Sequence, residues 1–153
     1  MARTRPSRGS VNLTYEDAKA DLEAALDWAQ PRRLPIISWG SSYSAALVFE
    51  VAAEHMNRVN AIVAFSPGEY LDKSGAAARA QVPIYVASSS DADEIKAGRA
   101  NLSVAPARVK TQFIPKFGVH GSSTLNEARN PKGSAENWNH VLAFLSALPE
   151  PPG

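Results

Sequence analysis

The sequence predicts an α/β protein with about four parallel strands and flanking helices, and two observations carry that expectation. Four short apolar runs, 34–39, 59–65, 82–88 and 109–114, alternate with segments of helical length. Strands joined by helical crossovers read as a parallel sheet, whose right-handed connections put most helices on one face. The first run also passes through Gly40-Ser41-Ser42-Tyr43-Ser44 directly into an apolar helical pattern, a strand, a tight turn and a helix in succession.

Taken in order, residues 1–12 read as a flexible basic arm bearing Arg3, Arg5 and Arg8, ahead of one domain at 13–149. Thr14-Tyr15-Glu16-Asp17 resembles a helix capping box. Tyr15, Ala18, Leu22, Ala25, Leu26 and Ala29 then recur at helical spacing, giving one buried face. Pro31 and Pro35 close that helix. Residues 43–56 form a helix that is apolar on most sides, as suits packing on a sheet. Val59–Phe65 is a buried strand ended by Ser66-Pro67-Gly68. A loop with a short Ala-rich helix fills 70–80, and Val82–Ser88 is the third strand. Asp91-Ala92-Asp93-Glu94 opens a helix to about Leu102, and Val109–Ile114 is the fourth strand. Gly118 to Ser123 is a loop. Ser134 caps a last helix with Trp138, Val141, Leu142, Leu145 and Leu148 on its apolar face.

Composition narrows the function. At 153 residues and a formal net charge of +1, the chain has a core of ordinary size and no nucleic-acid-binding charge pattern. It has no cysteine, so neither a disulfide framework nor thiolate chemistry is expected; a metal would need carboxylates and the three histidines. No apolar run approaches the roughly 20 residues of a membrane span, and the basic N-terminus lacks the apolar stretch of a secretory signal. A cytoplasmic protein is the expectation.

The candidate chemistry sits where parallel sheets place it, in loops at the carboxyl ends of the strands. Ser42 follows the first strand, Asp91 and Asp93 the third, and His120 the fourth. A Ser on a turn so sharp that only small neighbours fit can present its hydroxyl as a nucleophile. The amide of the next residue, Tyr43, can meet the developing oxyanion. His120 would take the Ser proton and return it to the leaving group. An aspartate would fix the imidazole tautomer and stabilise the imidazolium. Asp91 is the chosen acid because it lies closer to the strand end, with Asp93 as the alternative. Each has a plainer role: Ser42 as a helix cap, Asp91 as the cap of a D-x-x-E helix start, Asp93 as a first-turn carboxylate. His55 and His140 fall on helices and read as surface residues.

These stretches, YEDAKADLEAALDWA, WGSSYSAAL, PIYVASSSD and GVHGSST, resemble the α/β-hydrolase superfamily, and most closely its dienelactone-hydrolase-like serine esterases. The resemblance spans about Tyr15 to Leu148. It departs in having Ser44 at the second glycine of G-x-S-x-G. The dienelactone hydrolases proper carry Cys at the elbow, so only the Ser version of the chemistry is open here. The resemblance implies hydrolysis of a carboxylic ester or lactone through an acyl-Ser intermediate and no cofactor; no metal is expected, and charge and hydropathy lead to the expectation of no nucleic-acid or membrane partner. It also implies that only the C-terminal half of the family's fold is represented, without the strands whose loop gives the second oxyanion donor. The alternative is a catalytically weak or inactive relic acting as a binding module. A flavodoxin- or receiver-like domain fits less well, because the first strand ends in neither a phosphate-cradling loop nor an acidic cluster. The elbow strand is expected at a sheet edge, and a homodimer through that edge follows.

Overall fold

The computed structural model describes residues 14–68, 71 and 75–149; the expected arm at 1–12 and part of the loop expected at 70–80 lie outside the described residues. Four strands, β1 (Ile37–Ser41), β2 (Ala61–Phe65), β3 (Ile84–Ala87) and β4 (Lys110–Phe113), form one parallel sheet in sequence order. Among the described residues four α-helices flank it: α1 (Tyr15–Ala29), α2 (Tyr43–Glu54), α3 (Ala92–Val104) and α4 (Ser134–Ser146).

Helix α1 starts at the capping box. Thr14 Oγ1 accepts from the Asp17 amide at 3.2 Å, and the Asp17 carboxylate accepts from the Thr14 amide at 2.7 Å. Helix α2 is buried along Ala45–Phe49 and Val51–Ala53, consistent with its near-continuous apolar sequence. Strand β2 is buried on both faces, as the crossovers of a parallel sheet require. Its alternate residues divide between two cores. Ile62 and Ala64 join Ile84, Val86, Leu26 of α1, the apolar residues of α2 and Leu102 of α3. Ala61, Val63 and Phe65 join Tyr85, Phe113, and Val141 and Phe144 of α4. The first three helices therefore cover one face and α4 covers the other.

Each strand is one to three residues shorter than the run read from the sequence, and two of the boundary differences have identifiable local reasons. Strand β1 starts at Ile37 rather than 34, because Pro35 has no N–H and the Ile36 amide bonds the Asn60 side chain instead of a ladder partner. It then runs through Gly40 and Ser41 to the turn. Helix α4 is not capped by Ser134, which is its first helical residue; Gly133 holds the cap position without a side-chain bond. Among the described residues, no helix is long and apolar enough to cross a membrane.

Candidate functional site

The site begins with the conformation of Ser42. It joins β1 to α2 at φ 54°, ψ −122°, a region that side chains rarely occupy. Three contacts hold it there. The Ser42 amide donates to Phe65 O at 2.8 Å. The Ser44 hydroxyl donates to Ser41 O and accepts from the Ser41 amide, both at 2.9 Å. A Cβ on Gly40 would stand 2.3 Å from Ser44 O, so the helix start can approach the strand only over a glycine. Ser44 thus closes the turn with its hydroxyl.

His120 lies in the loop after β4. Its Nε2 is 2.7 Å from Ser42 Oγ, and its Nδ1 is 2.6 Å from Glu94 Oε1. A carboxylate can only accept, so Nδ1 carries the proton and Nε2 is left to accept from the Ser42 hydroxyl. The loop is set by the next two residues. Gly121, at φ +65°, donates its amide to Ser66 Oγ at 2.9 Å, and a Cβ there would meet Ser41 Oγ at 2.5 Å. The Ser122 amide donates to Ser41 Oγ at 2.8 Å. The imidazole is largely exposed and Ser42 half-buried, so the hydroxyl can be reached from solvent.

The carboxylate that meets His120 corrects the sequence reading. It belongs to Glu94, not to Asp91 or Asp93. Asp91 is the N-cap of α3, its Oδ1 accepting from the Asp93 and Glu94 amides at 2.9 and 3.1 Å. Asp93 is an exposed first-turn residue. In a complete capping box the Glu94 side chain would turn back to the Asp91 amide, but that amide donates to Ser89 Oγ instead. Glu94 turns inward over the strand ends. Its Oε2 accepts from Ser66 Oγ at 2.6 Å and from the Ser89 amide at 2.8 Å, while Oε1 faces His120. Partial burial pushes the Glu94 carboxyl up, but the bonds from His120, Ser66 and Ser89 outweigh it and leave its pKa below the usual value.

Sequence reasoning passed over two residues. Glu94 was named only as a helix-cap partner, and Ser66 only as the end of a strand. Ser66 is buried at φ 52°, and its hydroxyl joins Glu94 to the loop of His120. A Ser at the carboxyl end of the strand beside the elbow was the available signal.

The other expected residues are distributed as follows. Tyr43 opens α2, with its ring edge-on to Tyr15 at 5.0 Å, and its amide stands at the positive end of the helix dipole. Trp39 packs against Phe65 and Trp138. Val119 lines a groove with Phe117 and Lys132. His55 is half-buried against Glu23, and His140 stacks on Phe113 at 3.8 Å. Glu23, Glu54 and His55 bring ligand atoms within 4.8 Å of one another, but Lys19 already supplies a cation to Glu54 at 2.7 Å. Neither a protein-family model nor a curated protein matches the chain.

Proposed function

We propose that the chain is a serine hydrolase of carboxylic esters or lactones, with Ser42 as nucleophile, His120 as general base and acid, and Glu94 as the acid of the triad. The resemblance of WGSSYSAAL and GVHGSST to the α/β hydrolases supports the same chemistry. The observation that carries the proposal is the continuous hydrogen-bonded relay from Ser42 Oγ through both nitrogens of His120 to Glu94, built on a serine in a strained turn. Nucleophile, base and orienting carboxylate within hydrogen-bond reach are the signature of an activated serine.

The chemistry follows from these positions. Ser42 Oγ attacks the acyl carbon as its proton passes to His120 Nε2, and the carbonyl electrons move onto oxygen. Glu94, ionised at neutral pH, stabilises the imidazolium through Nδ1–H without taking its proton. The Tyr43 amide is the donor assigned to the oxyanion. The tetrahedral species collapses as the imidazolium returns its proton to the leaving alkoxide, leaving an acyl-Ser42. Water, deprotonated by His120, repeats the sequence and releases the acid.

The test is a fluorophosphonate probe with nitrophenyl acetate as substrate. Labelling confined to Ser42, and hydrolysis lost in Ser42→Ala and His120→Ala, is the expected result. An unlabelled parent whose background rate is shared by both variants overturns the proposal in favour of a non-catalytic binding module.

A further inference from the structure

Among the described residues strand β1 is paired on one side only, and its backbone shows which groups lie on the other. The Asn60 amide donates to Ile36 O, and the Ser42 amide donates to Phe65 O, so even-numbered residues from 36 to 42 turn their peptide groups toward β2. Peptide groups alternate along a strand, so Ile37, Trp39 and Ser41 turn theirs outward. Ser41 is already satisfied, since Ser44 Oγ bonds both its amide and its carbonyl. Pro35 has no amide to offer. The edge is thus closed at Ser41, lacks a donor at Pro35, and keeps both donor and acceptor open at Ile37 and Trp39, which pair with no strand among the described residues.

Both sides of this opening are apolar. On one face, Leu22, Ala25, Leu26 and Ala29 of α1 line a cavity of about 150 Å³ with Ile36 and Val48. On the other, Trp39 lies 6.4 Å from Trp138, and both rings are about 40 % exposed, with Leu142 half-exposed one turn further along α4. No charged residue occurs from Leu34 to Phe49, and none lines the cavity. Natural sheets blunt their edges with lysine, proline or a covering segment. At Ile37 and Trp39 neither a charge nor a proline does so.

We propose that this edge pairs with the same edge of a second copy, antiparallel about a two-fold axis through Ser38. The uncharged strip favours this occupant, because an edge without charge has nothing to attract a charged partner and nothing to repel itself. The pattern of open groups is also self-complementary. Ile37 of one copy and Trp39 of the other exchange both backbone hydrogen bonds, and the axis repeats this pair, so the four open groups of each copy are satisfied. Ser38 then faces Ser38 of the second copy as a non-hydrogen-bonded pair. The result is a continuous eight-stranded sheet with α1 beside α1 on one face and the Trp39, Trp138 and Leu142 clusters together on the other.

The absence of cysteine makes the register testable. Residues facing across a non-hydrogen-bonded pair have Cα atoms about 4.5 Å apart, within disulfide reach. Light scattering after size exclusion should give a dimer at micromolar concentration. Ser38→Cys should form a disulfide-linked dimer under mild oxidation, whereas Ser103→Cys on exposed α3 should not. Trp39→Lys should be monomeric. A parent that is a monomer with a cooperative thermal transition at ~50 µM overturns the proposal. A dimer that is unaffected by Trp39→Lys, and in which Ser38→Cys crosslinks no faster than Ser103→Cys, overturns it as well.

Discussion

The Ser66 hydroxyl donates to Glu94 Oε2 at 2.6 Å and holds that carboxylate in place, while the Gly121 amide donates to Ser66 Oγ. One buried side chain after β2 therefore fixes both the Glu94 carboxylate on α3 and the loop that carries His120. In that geometry the hydroxyl proton goes to the carboxylate and a lone pair takes the amide, so both capacities of the serine are used. Removing it unpairs a buried backbone N–H and takes one hydrogen bond from a charged group, an effect of roughly 1.5–3 kcal/mol.

Ser66→Ala is accordingly expected to lower kcat for an activated ester by roughly 10- to 100-fold, the rate equivalent of that energy. The melting temperature should fall as well. The pH–rate profile separates positioning from general destabilisation, since weakened support of Glu94 should move its acid limb while KM changes little. A Ser66→Ala variant with parental kcat would show that the bond does not support the triad.

Glu94 and Asp91 give opposite expectations. Glu94→Gln keeps the volume but loses the charge opposite His120, so kcat should fall by up to about 10⁴, the loss that follows the same carboxylate-to-amide change in a Ser–His–Asp triad. Asp91→Asn should leave hydrolysis within a few-fold of the parent, because Asn caps helices about as well as Asp. Asp91→Ala should cost about 1 kcal/mol of stability through the lost cap. Parallel kinetics and thermal melts decide the matter, and a crippled Asp91→Asn beside an active Glu94→Gln would return the acid to Asp91.

This exchange of carboxylates marks how far the sequence could be read. The strands and their parallel sheet were legible because runs such as Val59–Phe65 and Val82–Ser88 are short, apolar and separated by helix-length segments. Ser42 and His120 were legible because each follows a strand at the end where sites form. Glu94 was not, because the D-x-x-E pattern identifies a helix start without saying whether its last carboxylate turns back to the cap or inward. That depends on a tertiary fact: Ser89 Oγ occupies the Asp91 amide, while Ser66 and the Ser89 amide wait over the strand ends. The start of β1 was misread for a similar reason. Leu34 and Pro35 continue the apolar run, but the ladder begins only beyond Ile36, whose amide is taken by Asn60.

The strain at Ser42 leads to a stability–activity opposition. A residue at φ 54°, ψ −122° pays about 1–3 kcal/mol that glycine does not. Ser42→Gly should therefore melt several degrees above Ser42→Ala, which keeps the strain, while both are inactive. Calorimetry of the two variants reads this directly. Equal melting temperatures would mean that the elbow stores no strain.

The pH dependence of stability should also carry the imprint of Glu94. Its folded pKa lies below its ordinary value of about 4.3, so the folded state binds this proton less readily than the unfolded chain. Its contribution is complete above that ordinary value and is lost as pH falls through the lower folded value. Acidification from about pH 7 to pH 4 and below should therefore destabilise the parent more than Glu94→Gln, which has no proton to gain there. The Asp91→Asn protein should keep the Glu94 share of the parent's acid sensitivity, because that share comes from the carboxylate held by Ser66, Ser89 and His120. Urea denaturation at each pH gives the comparison. If Glu94→Gln loses as much stability as the parent across this interval, the hydrogen bonds that converge on Glu94 do not hold its carboxylate in the ionised form.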